Sequence, residues 1–185
     1  MNPLQLAIEL GRMLDRLGVE YAVGGSVASS IFGEPRSTLD IDVALRGSDD
    51  SLRRMLDLAS ADFYVPLEAA RHAISAKDSF NVLHNESGIK VDLFVLGDGT
   101  IDERQIDRRV RVSLAGGDLW VTSPEDIVLR KLWWFQLTDE TSERQWRDVV
   151  SLLRATSVDR DDLLAVADDS GLGPLVRRAI QEAAD

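Results

Sequence analysis

Apolar residues recur at helical spacing over residues 3–17, where Leu4, Ala7, Ile8, Gly11, Leu14 and Leu17 share one face. Gly18 stands where a helix ends, and Glu20 to Val23 reads as a short strand. Gly24-Gly25-Ser26 breaks that strand and opens a second helix through about Phe32, which Gly33-Glu34-Pro35 closes. Leu39 to Leu45 is a strand by its apolar and β-branched content, with Leu39, Ile41, Val43 and Leu45 expected on the core side. Asp49 and Asp50 are expected to cap a helix carrying Leu52, Met55, Leu56 and Ala59.

The middle is richer in strands. Phe63 to Val65 is a short one. Ser79 to His84 and Ile89 to Leu96 form a hairpin around Asn85-Glu86-Ser87-Gly88. Ile101 to Arg108 reads as a short helix. Val110 to Leu114 and Asp118 to Val121 form a second hairpin, turned by Ala115-Gly116-Gly117-Asp118. From Ser123 the texture becomes helical. Thr122-Ser123-Pro124-Glu125-Asp126 starts a helix to about Leu137, with a hydroxyl cap, proline in the first turn and acids behind it. Three more helical patterns follow, near 141–154, 159–169 and 172–183. The chain therefore reads as an α/β part, residues 1–122, and a helical part, residues 123–185.

Composition narrows the function classes. The 185 residues favour one domain or one domain with an appended subdomain. The absence of cysteine excludes disulfides and thiolate zinc sites and fits a reducing cytoplasm. No apolar run is long enough to span a bilayer, so no membrane is expected, and the N-terminus lacks the marks of a signal peptide. A net charge of −11 argues against broad coating of nucleic acid and suits a site that gathers carboxylates around a divalent cation.

The candidate chemistry lies where strands carry acids. Asp40 and Asp42 interrupt an apolar strand at alternate positions, so their carboxylates point the same way. Such neighbours repel, and a divalent ion removes that penalty. A solvated edge strand is the plainer reading, although aspartate is a poor strand former. Gly24, Gly25 and Ser26, between a strand and a helix, offer backbone N–H groups and a hydroxyl to a phosphate. They read equally as an ordinary turn with Ser26 as N-cap. Asp92, within Lys90-Val91-Asp92-Leu93-Phe94-Val95, is a third carboxylate that interrupts a strand in the same manner. Three strand carboxylates beside a phosphate loop make a two-metal phosphoryl-transfer site.

Val23–Ser26, Glu34–Val43, Val91–Val95, Thr122–Leu132 and Arg144–Leu153 together resemble the polymerase-beta-type nucleotidyltransferase superfamily, in its bacterial AbiEii-like branch. The resemblance implies a nucleotidyltransferase fold, a small mixed sheet flanked by helices, followed by a C-terminal helical bundle. It implies that Gly24, Gly25 and Ser26 hold the phosphates of a nucleoside triphosphate, and that Arg36 touches phosphate. It implies that Asp40, Asp42 and Asp92 ligate two Mg²⁺ ions, with Asp92 helping to activate the acceptor hydroxyl. Lys131 would reach triphosphate, and Arg147 and Asp148 would lie in a cleft.

The implied activity is Mg²⁺-dependent transfer of a nucleotidyl group to an acceptor hydroxyl on a tRNA end, a protein or a small molecule, with pyrophosphate leaving. The implied context is a toxin–antitoxin pair. The alternative is a catalytically silent module that keeps the fold for binding.

Plainer readings stand beside several of these residues. Lys131 equally fits a solvated helix face, and Arg147-Asp148 a surface pair. Trp133, Trp134 and Trp146 read as packing residues between helices. Arg104, Arg108, Arg109 and Arg111, interleaved with Asp102, Glu103 and Asp107, read as a solvated face rather than an RNA-binding patch. His72 and His84 carry no motif.

Overall fold

The computed structural model describes residues 1–35 and 37–185. They fall into two compact units: residues 1–27 with 37–122, and residues 28–35 with 123–185.

The first unit is built on a seven-stranded mixed sheet. Its strands are β1 (Glu20–Val23), β2 (Asp40–Arg46), β3 (Phe63–Tyr64), β4 (Ser79–His84), β5 (Lys90–Val95), β6 (Val110–Leu114) and β7 (Gly117–Val121), in the order β3-β4-β5-β2-β1-β7-β6. β2 runs parallel to β5 and antiparallel to β1, and β1 pairs in parallel with β7. Strict alternation drives the middle of the sheet. Val91, Leu93 and Val95 are buried along β5 while Lys90, Asp92 and Phe94 face the other way.

Helices α1 (Pro3–Leu17), α3 (Asp49–Ala59), α4 (Leu67–Ala76) and α5 (Thr100–Asp107) accompany this sheet. α1 starts with a full capping box, Asn2 and Gln5 bonding each other's backbone N–H, and ends at left-handed Gly18. It lies close to the sheet at Gly11, where a Cβ would stand 2.4 Å from the Tyr21 hydroxyl oxygen.

The second unit is helical. It contains most of α2 (Gly25–Phe32), then α6 (Pro124–Leu137), α7 (Glu143–Ala155), α8 (Arg160–Asp169) and α9 (Gly173–Ala184). Ser123 caps α6 by accepting from the Asp126 N–H, with Pro124 in the first turn. Glu125 is buried and accepts from the Asp159 N–H at 2.8 Å, which ties the start of α8 to α6. The Thr156 hydroxyl donates to the Phe32 carbonyl, which ties the end of α7 to the end of α2. No helix of the described residues is long and apolar enough to cross a membrane.

Four local expectations are corrected. β2 starts at Asp40, and Leu39 is 75 % exposed, because the Thr38 hydroxyl bonds both backbone groups of Asp40. Ser48, not Asp49 or Asp50, caps α3, and the two acids occupy its first turn. α4 has no counterpart in the sequence reading. Trp146 is buried against Phe135, and its indole N–H donates to Glu182, whereas Trp134 is 39 % exposed.

Candidate active site

Parallel pairing of β2 with β5 sets Asp42 directly opposite Asp92 and Asp40 opposite Lys90. Paired residues of adjacent strands share a sheet face. Three carboxylates and one ammonium therefore occupy a block two strands wide. On the far side of β5, Asn81 of β4 lies opposite Asp92 and extends this polar face.

The core on the opposite side fixes the block. Ile41, Val43, Val91 and Leu93 are all buried. The acids remain accessible: the Asp40 side chain is about half exposed at 51 %, and Asp92 retains 21 %.

The turn after β1 is held against this face. The Gly24 N–H donates to the Asp42 carbonyl at 2.9 Å, and the Thr122 N–H donates to the Val23 carbonyl at 3.0 Å. Gly25 adopts φ +55°, and a Cβ there would stand 1.7 Å from Asp42 Oδ2. Only glycine fits, both for the left-handed backbone and for the space the carboxylate takes. α2 begins at Gly25, so the N–H groups of its first turn start beside Asp42, with Ser26 buried in that turn.

Lys90 is a residue of this face that its sequence motif alone does not mark as functional. Its ammonium donates to Asp92 Oδ2 at 2.8 Å and stands 3.9 Å from Asp40 Oδ1. The hydrogen bond to Asp92 raises its pKa above the ordinary lysine value. Burial opposes this, and the charges of Asp92, Asp40 and Asp42 add to it. The signal that could have marked Lys90 is its position two residues before Asp92, on the same strand face.

All ligand atoms on this face are oxygens, the chemistry that suits Mg²⁺ rather than a transition metal. Among the described residues, no three His, Cys, Asp or Glu side chains are grouped tightly enough to hold a metal ion by themselves. The cationic group already on this face is the Lys90 ammonium, which stands between Asp92 and Asp40.

The second unit holds Lys131 and Asp148. Lys131, on α6, is 5 % exposed, so the solvated-face reading is overturned. Its ammonium donates to Asp148 Oδ2 at 2.8 Å and to Gln145 Oε1 at 3.0 Å, both on α7. The Asp148 side chain is 11 % exposed, so it is mostly buried rather than a surface residue. Asp148, Arg144, Arg147, Ser29 and Ser151 line a cavity of about 340 Å³ within this unit. Arg36 lies outside the described residues.

Two arginines of the cluster make ion pairs, and Arg109, with a side chain 18 % exposed, departs from the solvated-face reading. Arg111 meets Asp118 at 2.7 Å, and Arg109 meets Glu20 at 3.5 Å while stacking on Trp120. His84 bonds Ser87 within its own hairpin turn.

This architecture is that of the polymerase-beta-type nucleotidyltransferases. An antigenic nucleotidyltransferase-like protein from Paracoccidioides brasiliensis superposes with a TM-score of 0.58 at 19 % identity, covering 96 % of this chain and 91 % of that one. The lincosamide antibiotic adenylyltransferase LnuA, bound to lincomycin, gives 0.54 at 13 % identity, covering 84 % and 99 %. The antibiotic-resistance factor ANT(2'')-Ia, in complex with adenylyl-2''-tobramycin, gives 0.54 at 15 % identity, covering 98 % of each chain. At these identities the likeness establishes the fold. No curated protein sequence matches the chain. The family model described as nucleotidyl transferase AbiEii toxin, type IV TA system, matches residues 14–183, and the chain belongs to that family of nucleotidyltransferases.

Proposed function

We propose that the chain transfers a nucleotidyl group from a nucleoside triphosphate to an acceptor hydroxyl, with Asp40, Asp42 and Asp92 holding Mg²⁺. The observation that carries this is the register of β2 on β5, which sets Asp42 opposite Asp92 beside the Gly24–Ser26 turn. Bound there, Mg²⁺ would neutralise charge on the transferring phosphoryl group and ease ionisation of the acceptor hydroxyl.

The chain's own groups do the rest. The N–H groups at the start of α2 and the Ser26 hydroxyl orient the triphosphate by hydrogen bonds to its outer oxygens. Gly25 lets that backbone come close to Asp42. Asp92 would help to activate the acceptor hydroxyl. Catalysis of this kind is mostly positioning and charge neutralisation.

In the second unit, the buried Lys131–Asp148 pair is kept for function rather than for stability. A buried ion pair seldom outperforms apolar residues of the same volume as a stabiliser, and this one borders a cavity lined by two arginines.

Three acceptor classes are in view: tRNA, protein, and small molecules. The tobramycin and lincomycin complexes of the two adenylyltransferases support a small hydroxylated acceptor. The family's description as a toxin supports a macromolecular one, with an antitoxin partner.

Purified chain incubated with each α-labelled nucleoside triphosphate and Mg²⁺ should label one acceptor among total tRNA, cell protein and an aminoglycoside. Asp42→Asn and added EDTA should each abolish the label. Labelling that survives both would remove the carboxylate site from the reaction. No labelling with any acceptor, alongside unchanged nucleotide binding, would favour the silent binding module. Expression in a host should arrest growth, and Asp42→Asn should relieve the arrest if the chain acts as a toxin.

A further inference from the structure

Lys90 sits where a metal ion's charge is needed. The block formed by Asp40, Asp42, Asp92 and Lys90 holds three negative charges and one positive. Lys90 hydrogen-bonds Asp92 Oδ2 at 2.8 Å and lies 3.9 Å from Asp40 Oδ1, so one ammonium spans acids on both strands. Its side chain is 43 % exposed, which leaves the flexible stem room to swing outward. On its other flank, Leu83 of β4 is opposite it and brings no competing charge. Of the three acids, Asp92 is the more enclosed of the two that Lys90 approaches, and it receives the short contact.

We propose that Lys90 is a resident counter-cation of the carboxylate face, a positioning residue that holds Asp92 and Asp40 together until a divalent ion takes its place. The inference rests on the metal-site reading of this face. Without a cation, like charges on adjacent strands repel and spread the acids. With Lys90 in place they stay gathered on the sheet, and a divalent ion must break a charge-assisted hydrogen bond to enter. Lys90 therefore lowers the metal affinity of the nucleotide-free chain, while keeping that chain folded when metal is scarce. After displacement its ammonium stays within reach of the face and is free to meet a phosphate oxygen.

The test is calorimetric titration of the full chain with Mn²⁺ alone, comparing wild type with Lys90→Met and Lys90→Arg. Methionine keeps the stem and removes the charge. Lys90→Met should bind Mn²⁺ about threefold to tenfold more tightly, the scale of a partly exposed charge-assisted contact. It should also melt at lower temperature than wild type in EDTA, and the difference should shrink in saturating Mn²⁺. Lys90→Arg should bind Mn²⁺ like wild type.

A loss of packing alone would not raise metal affinity, so equal or weaker binding by Lys90→Met overturns the proposal. If Lys90→Met does not fold in EDTA, refolding in Mn²⁺ should recover it, and failure to do so counts equally against the role. Failure of the wild-type chain itself to bind Mn²⁺ removes the metal-site reading, and the role of Lys90 with it.

Discussion

Asp148→Ala is the most informative single substitution in the second unit. It removes the carboxylate facing an ammonium that is almost wholly inside the protein, with a side-chain exposure of 6 %. The Lys131 ammonium keeps its bond to the Gln145 amide oxygen, a neutral acceptor that does not offset a full charge. Breaking a buried pair from one side costs on the order of 3–5 kcal/mol. For a chain of this length, each kcal/mol moves the melting temperature by roughly 2–4 °C, so the expected drop is about 6–20 °C.

The reverse change, Lys131→Met, should cost less, about 1–3 kcal/mol, because unpaired groups that water can reach pay a smaller penalty. Asp148 borders the cavity and Lys131 does not. The double variant Lys131→Met/Asp148→Ala should be more stable than Asp148→Ala alone, because the buried ammonium that lost its carboxylate is gone as well. Urea denaturation of all four proteins at pH 7 gives the full cycle. If Asp148→Ala costs under about 1 kcal/mol, or the two single costs simply add, Lys131 and Asp148 do not stabilise one another as a buried pair.

Gly25→Ala should cost about 1–2 kcal/mol from the left-handed backbone alone. It should also abolish labelling, because its Cβ displaces the Asp42 carboxylate. Gly24→Ala meets only an ordinary 3.6 Å contact with Thr122 Oγ1 and should fold as wild type, so equal melting of the two variants would count against the packing at Gly25. Gly11→Ala should overpack α1 against Tyr21 and cost about 1–3 kcal/mol, measured by thermal melting.

Acid stability follows from Glu20, whose pKa is held below the ordinary 4.5 mainly by its hydrogen bond from Arg46. A depressed carboxylate stabilises the fold above pH 4.5 and loses that contribution as pH falls through its lower folded value. Glu20→Gln should therefore cost under about 1 kcal/mol at pH 7, the group being nearly half exposed, and the difference from wild type should narrow at pH 3.5. A gap in urea midpoint that widens on acidification would refute the assignment.

Where alternation was strict, the sequence was easy to read. β4 and β5 alternate buried and open positions along their length, and the acid at position 92 stood out against that pattern. Helix α4 was invisible because its buried face is Ala70, Ala73 and Ile74, two of them too small to make a hydrophobic stripe. It also begins after Pro66 without a side-chain cap. Leu39 misled because it continues an apolar alternation, and only the Thr38–Asp40 bonds end the strand before it.

Lys131 could not be placed from its own helix. α6 buries residues on several sides, Ile127, Val128, Leu129, Lys131, Leu132 and Phe135 among them, so no polar face marks whether Lys131 is inside. Its partner is on another helix, a relation that periodicity does not carry. The pairing of Asp42 with Asp92 has the same character. Alternation gave each acid a face, but which strands are neighbours came from the family resemblance.

The carboxylate face is also enforced from behind. A slip of β2 by one residue would carry Ile41 and Val43 into water and Asp40 and Asp42 into the core. At about 1.5–3 kcal/mol for each buried aliphatic side chain, those two residues alone oppose the slip by about 3–6 kcal/mol, before any penalty for burying the acids. Repulsion between two facing carboxylates about 5 Å apart is on the order of 3 kcal/mol at the effective dielectric of a protein surface, and Lys90 offsets part of it. The apolar side therefore holds acids at a spacing they would not choose. On the proposed metal-site reading a divalent cation would relieve that repulsion, so core substitutions such as Val43→Ala would act on the site as well as on the fold. By loosening the register, Val43→Ala should weaken Mn²⁺ binding even though Val43 faces away from the metal side, the opposite sign from Lys90→Met. Titrating the two variants side by side separates a face that is held together from one that is merely charged.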